Sequence, residues 1–426
     1  MRSAHWIGAV AFAMVTLLLA QAAALDAPWR RRRRPDVRHN RRAATLVIPS
    51  DWPAEPDSPE TIDPERFASS LRRLCGWMPP RRATNYAGYM IEYGQEFGID
   101  PFLLAALSFR MGRCNPRSED LGGIGLTAIP RSMYGDHVRR GTYTYWVHKN
   151  GAWEERTLDV SRFPFSEARL RRAQENLYFA AAFLHVWQEQ ERSLELAWEQ
   201  APHRHFVSHF VWGDRVRSDR GEDRILTDRR RMLQYYGTVD PPAPVEAFGL
   251  QMGTPLDGAP RLISSWIGAD RDGGERSHRG VDVESVLGEP IRAVADGRVN
   301  FAGVDFPGQR ANDGNMTKAE IEAVPRQQLG RGGRYVCILH HGSGEGAPAW
   351  LRSCYMHMED VDVRNGQDVR RGDIIGTVGR TGMLSSAPHL HLELHSPDGL
   401  EDASVALAGI LIGRKPEEEP RRRRRR

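Results

Sequence analysis

Three prolines within residues 238–249, "TVDPPAPVEAFG", divide the chain into two parts with different periodicities. Proline lacks an amide hydrogen and fixes its own φ, so neither a helix nor a central strand runs through such a stretch. On the N-terminal side, apolar residues recur every three to four positions. "NYAGYMIEYGQEFG", "PFLLAALSFRMGRC", "EARLRRAQENLYFAAAFLHVWQEQERS" and "RILTDRRRMLQYYG" all have this spacing. It predicts helices with one apolar face. On the C-terminal side, "GEPIRAVADGRVNFAG", "RYVCILHHG", "RSCYMHM" and "DIIGTVGRTG" are short β-prone runs between Gly and Asp turns, the pattern of an antiparallel β domain. An insertion over residues 304–333 interrupts that pattern and has room for a short helix. The fold class expected is therefore multidomain α+β: helical over 61–237, a linker over 238–257 and β-rich over 258–405. At 426 residues the chain is long enough for two separate cores.

The ends read differently. "MRSAHWIGAVAFAMVTLLLAQAAALDAP" runs from a basic start through an apolar stretch, Ile7 to Leu19, to small residues. That order predicts a signal peptide over residues 1–24 and an exported protein, periplasmic or secreted. An uncleaved anchor helix is the other reading, although the apolar run is short for a full span. No other stretch approaches membrane length, so no transmembrane helix is expected in the mature chain. Residues 25–60 are expected to be a disordered basic arm, and 406–426 a disordered charged tail. Arg30 to Arg34 and Arg421 to Arg426 carry eleven positive charges, and without them the net +4 becomes −7. Such runs are either solvated tails or tethers to anionic cell-envelope polymers. Export argues against nucleic acid as a partner. The four cysteines, in an oxidising compartment, suggest disulfides. Pairing within each half, Cys75 with Cys114 and Cys337 with Cys354, is the simplest of three arrangements.

"PHLHLELH", residues 388–395, alternates strictly. As a strand it sends Leu390, Leu392 and Leu394 to a core, while His389, His391 and Glu393 share the other face. That face is either a plain polar surface or a metal or catalytic site, since His is the commonest metal ligand. "SHRGVDV" places His278 four residues before Asp282. Val281 and Val283 flank the Asp in a strand pattern, and Gly280 leaves room beside it. His278, Asp282 and one imidazole of "HLH" would form an N/N/O set with a fourth tetrahedral position open, the layout of a catalytic zinc site. "CYMHM" supplies His357 on another β-prone run.

Together, "HRGVD", "YMH" and "HLH", with the glycine pattern "VRNGQDVRRGDIIGTVGRTG", resemble the lysostaphin-type zinc endopeptidases of bacterial cell walls. The resemblance covers roughly residues 258–400. It implies an antiparallel β-rich peptidase domain holding one Zn2+ through His278, Asp282 and His391. It also implies catalytic, non-ligand roles for His357 and His389. No HExxH is present to supply a helix-borne Glu as base, so imidazoles would carry the proton transfer. His341 also matches a family position and is read as structural or supporting. The sequence departs from the family's pattern in the insertion between Gly303 and Gly332 and in Cys337 and Cys354 on consecutive strands. Those two cysteines are either a cross-strand disulfide near His357 or a free buried pair. Biotinyl and lipoyl carrier domains have similar Gly-spaced strands, but no lysine lies at a hairpin tip here.

In the helical part, "PFLLAALSFRMGRCNPRSEDLGGIGLTAIPRSMY" resembles the lysozyme-like domain of lytic transglycosylases over roughly residues 85–235. Met111 falls where that family has its catalytic Glu, and a thioether cannot donate a proton. Glu119 and Asp120 lie past the Asn-Pro break. The resemblance therefore implies an inactive glycan-binding or spacing module. "PHRHFVSHF" gathers His203, His205 and His209. With no carboxylate patterned beside them, they read as packing or surface histidines rather than ligands.

The function expected is a zinc metalloendopeptidase acting on peptidoglycan. Its rival is a non-enzymatic peptidoglycan-binding protein or a regulator of a cell-wall amidase. The rival would be expected to lack some of the five site residues, all of which are present.

Overall fold

The structure, a computed structural model, describes residues 55–76, 78–120, 122–135, 137–194, 205–213, 220–271, 276–308, 315–383 and 385–413. The signal-peptide reading, both Arg runs and His203 lie outside the described residues.

Helices α1 (Pro64–Leu74), α2 (Pro80–Phe97) and α3 (Pro101–Arg110) each begin with proline at the first turn, where the missing amide costs nothing. Asp63 and Asp100 cap α1 and α3 by accepting from the amides of Arg66 and Phe102. Helix α2 stops at Gly98, whose φ of 64° is left-handed. A disulfide joins Cys75, just after α1, to Cys114, just after α3. Helices α4 (Ala173–Ser193), α5 (Phe206–Trp212) and α6 (Arg220–Tyr236) complete the bundle. Phe67, Leu71, Phe102, Phe179 and Phe183 are completely buried in its core.

Several expectations are corrected here. The long helix predicted over residues 167–193 is broken into Glu167–Leu170 and α4, because the buried Asn176 side chain donates to the carbonyls of Leu170 and Ile124. The stretch between the second and third helical segments read from the sequence contains an antiparallel hairpin, β1 (Thr142–Lys149) and β2 (Ala152–Asp159), with Tyr143, Tyr145 and Val147 buried. The expected linker contains a second hairpin, Val245–Ala247 with Leu250–Met252, and buries Met252 and Leu256 in the second core. Residues 55–60 of the expected arm are packed as well. Glu55 pairs with Arg230 at 2.7 Å, and Ser58 donates to Asp100 at 2.9 Å.

The second core lies under an eleven-stranded sheet. Its main strands are β3 (Arg261–Ser265), β4 (Val281–Glu284), β5 (Gly297–Val304), β6 (Arg334–His340), β7 (Leu351–Val361), β8 (Ile374–Val378) and β9 (His389–Ser396). The central order is β5-β6-β7-β9-β4-β3, with every neighbouring pair antiparallel. Part of the expected C-terminal tail joins it. Leu411–Ile412 pairs in parallel with β3, and Leu407, Ile410 and Leu411 are buried. The insertion forms a short helix, Lys318–Ala323, opened by a capping box between Thr317 and Glu320. Cys337 and Cys354, direct partners across β6 and β7, are joined by a disulfide.

Helix α6 packs the helical part onto the β part through charged groups. Arg224 donates to both Glu284 oxygens at 2.5 and 2.8 Å. Buried Arg231 lies 3.1 Å from Glu289, which also accepts from Arg261 at 2.7 Å. On its other side Arg231 approaches Asp228 at 3.6 Å, and Asp228 accepts from Arg110 at 2.6 Å. Burial pushes the Glu289 carboxyl up, but Arg231 and Arg261 outweigh it and hold the group below the usual range. Asp228 goes the other way, because its burial is not fully offset by Arg110 and Arg231.

Candidate metal centre

Strands β4 and β9 lie side by side with Asp282 directly opposite His391. Val281 and Val283 on β4, and Leu390, Leu392 and Leu394 on β9, are buried in the core below. Strict alternation therefore puts Asp282, His389, His391 and Glu393 together on the opposite face. His278 comes from the segment entering β4. Gly280 permits this approach, since a Cβ there would meet the Leu392 carbonyl oxygen at 2.2 Å.

His278 Nε2, Asp282 Oδ1 and His391 Nδ1 form a triangle with sides of 2.9, 3.0 and 2.8 Å. Each ligand-bearing group is held from behind. His278 Nδ1 donates to the Trp266 carbonyl at 2.8 Å, which leaves a lone pair on Nε2. His391 Nε2 lies 3.1 Å from Glu393, which only accepts, so the proton belongs on Nε2 and the lone pair on Nδ1. Asp282 Oδ2 accepts from Arg271 at 2.7 Å, leaving Oδ1 for the centre. Three buried ligand atoms thus face one point, the arrangement of a cation site.

The electrostatics favour positive charge at this point, a proton on His391 in the absence of an ion. Burial opposes charge on Asp282, but its bonds to His278 and His391 hold the carboxyl well below the usual range. Burial likewise lowers His391, but Asp282 and Glu393 raise it to about 9. A tetrahedral zinc with N and O ligands at ~2.0–2.1 Å needs donors about 3.4 Å apart. The triangle need open by only a few tenths of an ångström to fit. His–His–Asp is also a donor set suited to zinc and leaves a position for water. Among the described residues this is the one group of three His, Cys, Asp or Glu side chains placed to share a metal.

Two further imidazoles border the triangle. His357 lies 4.9 Å from His389 and 5.7 Å from His391, measured between ring centroids. The β7–β9 register pairs His391 with Met356, so plain alternation would turn His357 away from the centre. His357 instead has a φ of 63°, at an irregularity in the β6–β7 pairing, where Tyr355 to Met358 faces Val336 to Arg334. This left-handed backbone, strained for a non-glycine residue, re-aims its side chain. Its Nδ1 donates to the Thr381 carbonyl at 3.0 Å and leaves Nε2 as the free ring atom. Burial, then the neighbouring His389 and His391, push it down to about 3, so it is neutral at physiological pH. His389 is arranged similarly. Its Nδ1 donates to the Ala387 carbonyl at 2.8 Å, and Nε2 is 3.8 Å from Asp282 Oδ1.

All five residues singled out from the sequence are thus brought together. Glu393 was expected on this face but given no role, and Arg271 and the Trp266 and Thr381 carbonyls were not anticipated as part of the centre. For Glu393 the available signal was its position two residues after His391 on an alternating strand. His341 is exposed, while its neighbour His340 is buried between the Asp296 carbonyl and Ser353. In the helical part, His209 stacks on Trp187 and pairs with Glu191 at 2.8 Å. Met111 is half-buried at the end of α3, packed against the helical core.

The β part is similar to known proteins. Residues 276–403 match the model of Peptidase family M23. An uncharacterized metalloprotease of Haemophilus influenzae is 33% identical over 139 residues, which are 32% of this chain and 23% of that protein. Glycyl-glycine endopeptidase ALE-1 of Staphylococcus capitis is 32% identical over 123 residues, covering 28% of this chain and 24% of that protein. Peptidoglycan DD-endopeptidase ShyB of Vibrio cholerae is 26% identical over 144 residues, covering 33% and 26% respectively. The chain therefore spans about a quarter of the length of each of these relatives. No described helix is long and apolar enough to cross a membrane. Residues 276–403 are a Peptidase family M23 domain.

Proposed function

We propose that this protein is an exported zinc endopeptidase that cleaves peptide bonds in bacterial peptidoglycan. The observation that carries the reading is the convergence of His278 Nε2, Asp282 Oδ1 and His391 Nδ1, with two more imidazoles at its edge. Relatives described as a glycyl-glycine endopeptidase and a peptidoglycan DD-endopeptidase support the reaction class and the substrate.

His278, Asp282 and His391 would hold the ion, which when bound supplies Lewis acidity toward a carbonyl and toward water. The remaining work falls to this chain's side chains. His357 and His389 each have Nδ1 tied to a carbonyl, so Nε2 is the atom that accepts or returns a proton. A neutral His357 can accept a hydrogen bond from water at Nε2 and so orient it for attack. A proton on His389 Nε2 can be donated toward the carbonyl oxygen as negative charge develops there.

In the same reading, the helical part is a lysozyme-like module that binds or spaces glycan without cutting it, since Met111 offers no acid. The Arg-rich ends would tether the chain to anionic envelope polymers. The test is digestion of purified peptidoglycan by the full chain, with released peptides identified by mass spectrometry. New amino termini should appear, vanish with a zinc chelator and return with added zinc. Intact stem peptides and cross-links after digestion would refute the reading.

A further inference from the structure

We propose that Glu393 is the positioning residue of the metal centre, locking His391 so that Nδ1, rather than Nε2, faces the ion. This rests on the zinc reading and extends it to a residue outside the ligand set. Glu393 is two residues beyond His391 on β9, on the same face, and only 5% exposed. Its Oε1 lies 3.1 Å from His391 Nε2, and its Oε2 lies 2.8 Å from His395 Nε2. Arg279 stands 3.6 Å from Oε1 and is mostly exposed.

The carboxylate is itself fixed. Its residue sits opposite Cys354, which is bonded to Cys337. Gly280 leaves the space it occupies, since a Cβ there would come within 3.0 Å of Glu393 Cγ. The three ligands are also backed unequally: His278 by a neutral carbonyl and Asp282 by the cationic Arg271. The guanidinium draws electron density from the ligand carboxylate. Glu393 offsets that by making His391 a better donor. A carboxylate behind a ligating imidazole typically accounts for about 10–100-fold in metal affinity.

The experiment measures zinc dissociation constants of the full-length protein by competition with a chromophoric chelator. Wild type, Glu393→Ala and Glu393→Gln are compared, with near-UV circular dichroism of the metal-free forms to confirm folding. Glu393→Ala should bind zinc about 10–100-fold more weakly. Glu393→Gln should fall between the two, because its amide oxygen still accepts from Nε2–H without the charge. If the alanine variant does not fold, the near-isosteric glutamine variant decides, and wild-type affinity there would overturn the proposal. So would wild-type affinity in Glu393→Ala, or a glutamine variant no tighter than alanine. A wild-type protein that binds no zinc would instead refute the zinc reading itself, and this proposal with it.

Discussion

His357 stands 5.7 Å from His391, ring to ring, although the strand register pairs His391 with Met356. The left-handed backbone at His357 creates this proximity. It brings a neutral imidazole to a metal triangle without making it a ligand. His357→Ala and His389→Ala should therefore keep wild-type zinc content while losing about 100- to 10,000-fold in turnover, the usual cost of a positioned acid–base group. Metal analysis and peptide-release rates on the same preparations check this. Zinc loss in either variant would make that residue a ligand instead.

The sequence made β4 and β9 readable because both alternate cleanly: valines flank Asp282, and leucines separate His389 from His391. It could not reveal the re-aiming of His357, since a backbone irregularity breaks the parity that a reader of the sequence must assume. The β1–β2 hairpin did leave a trace. Asn150 and Gly151, both at positive φ, sit between alternating runs, a recognised hairpin signal. No Gly or Pro marks the break after Leu170, because the cause lies in Asn176, whose partner Ile124 is distant in sequence. The two-residue pairing of Leu411–Ile412 with β3 is likewise fixed by packing rather than by local pattern.

The α6 junction should be unequal in its contributions. Arg231 is buried against Glu289, whereas the Arg224 side chain is 41% exposed. Arg231→Ala leaves a buried carboxylate short of a partner and should destabilise the protein by about 3–5 kcal/mol. Arg224→Ala should cost about 1 kcal/mol or less. Urea denaturation of the full chain distinguishes them, and equal midpoints would refute a buried ionic junction.

His340 should contribute to acid sensitivity. Burial holds its imidazole below the usual range, while the Asp296 carbonyl only partly opposes this. Between its folded pKa and the ordinary value of about 6.5, the unfolded chain binds more protons than the folded one. Stability from this group is complete above about pH 6.5 and is lost as pH falls below it. His340→Gln should flatten the fall in stability between pH 8 and 5 seen by thermal unfolding. Identical slopes would show that His340 is not involved.

The helical part should cut no glycan. Met111 cannot protonate a glycosidic oxygen, and Glu119 is paired with Arg171 on the surface. With the metal centre disabled by His391→Ala, the full chain should release no anhydro-sugar products from peptidoglycan. Their appearance by mass spectrometry would mean that another residue supplies the acid.

The most direct measurement is zinc per chain, by elemental analysis, in wild type and in the alanine variants of His278, Asp282 and His391. Three donors are the minimum for a tightly held catalytic ion, and two are too few. The account predicts one zinc in the wild type and close to none in each variant, with peptide release lost in parallel. Full zinc occupancy in His391→Ala would contradict it.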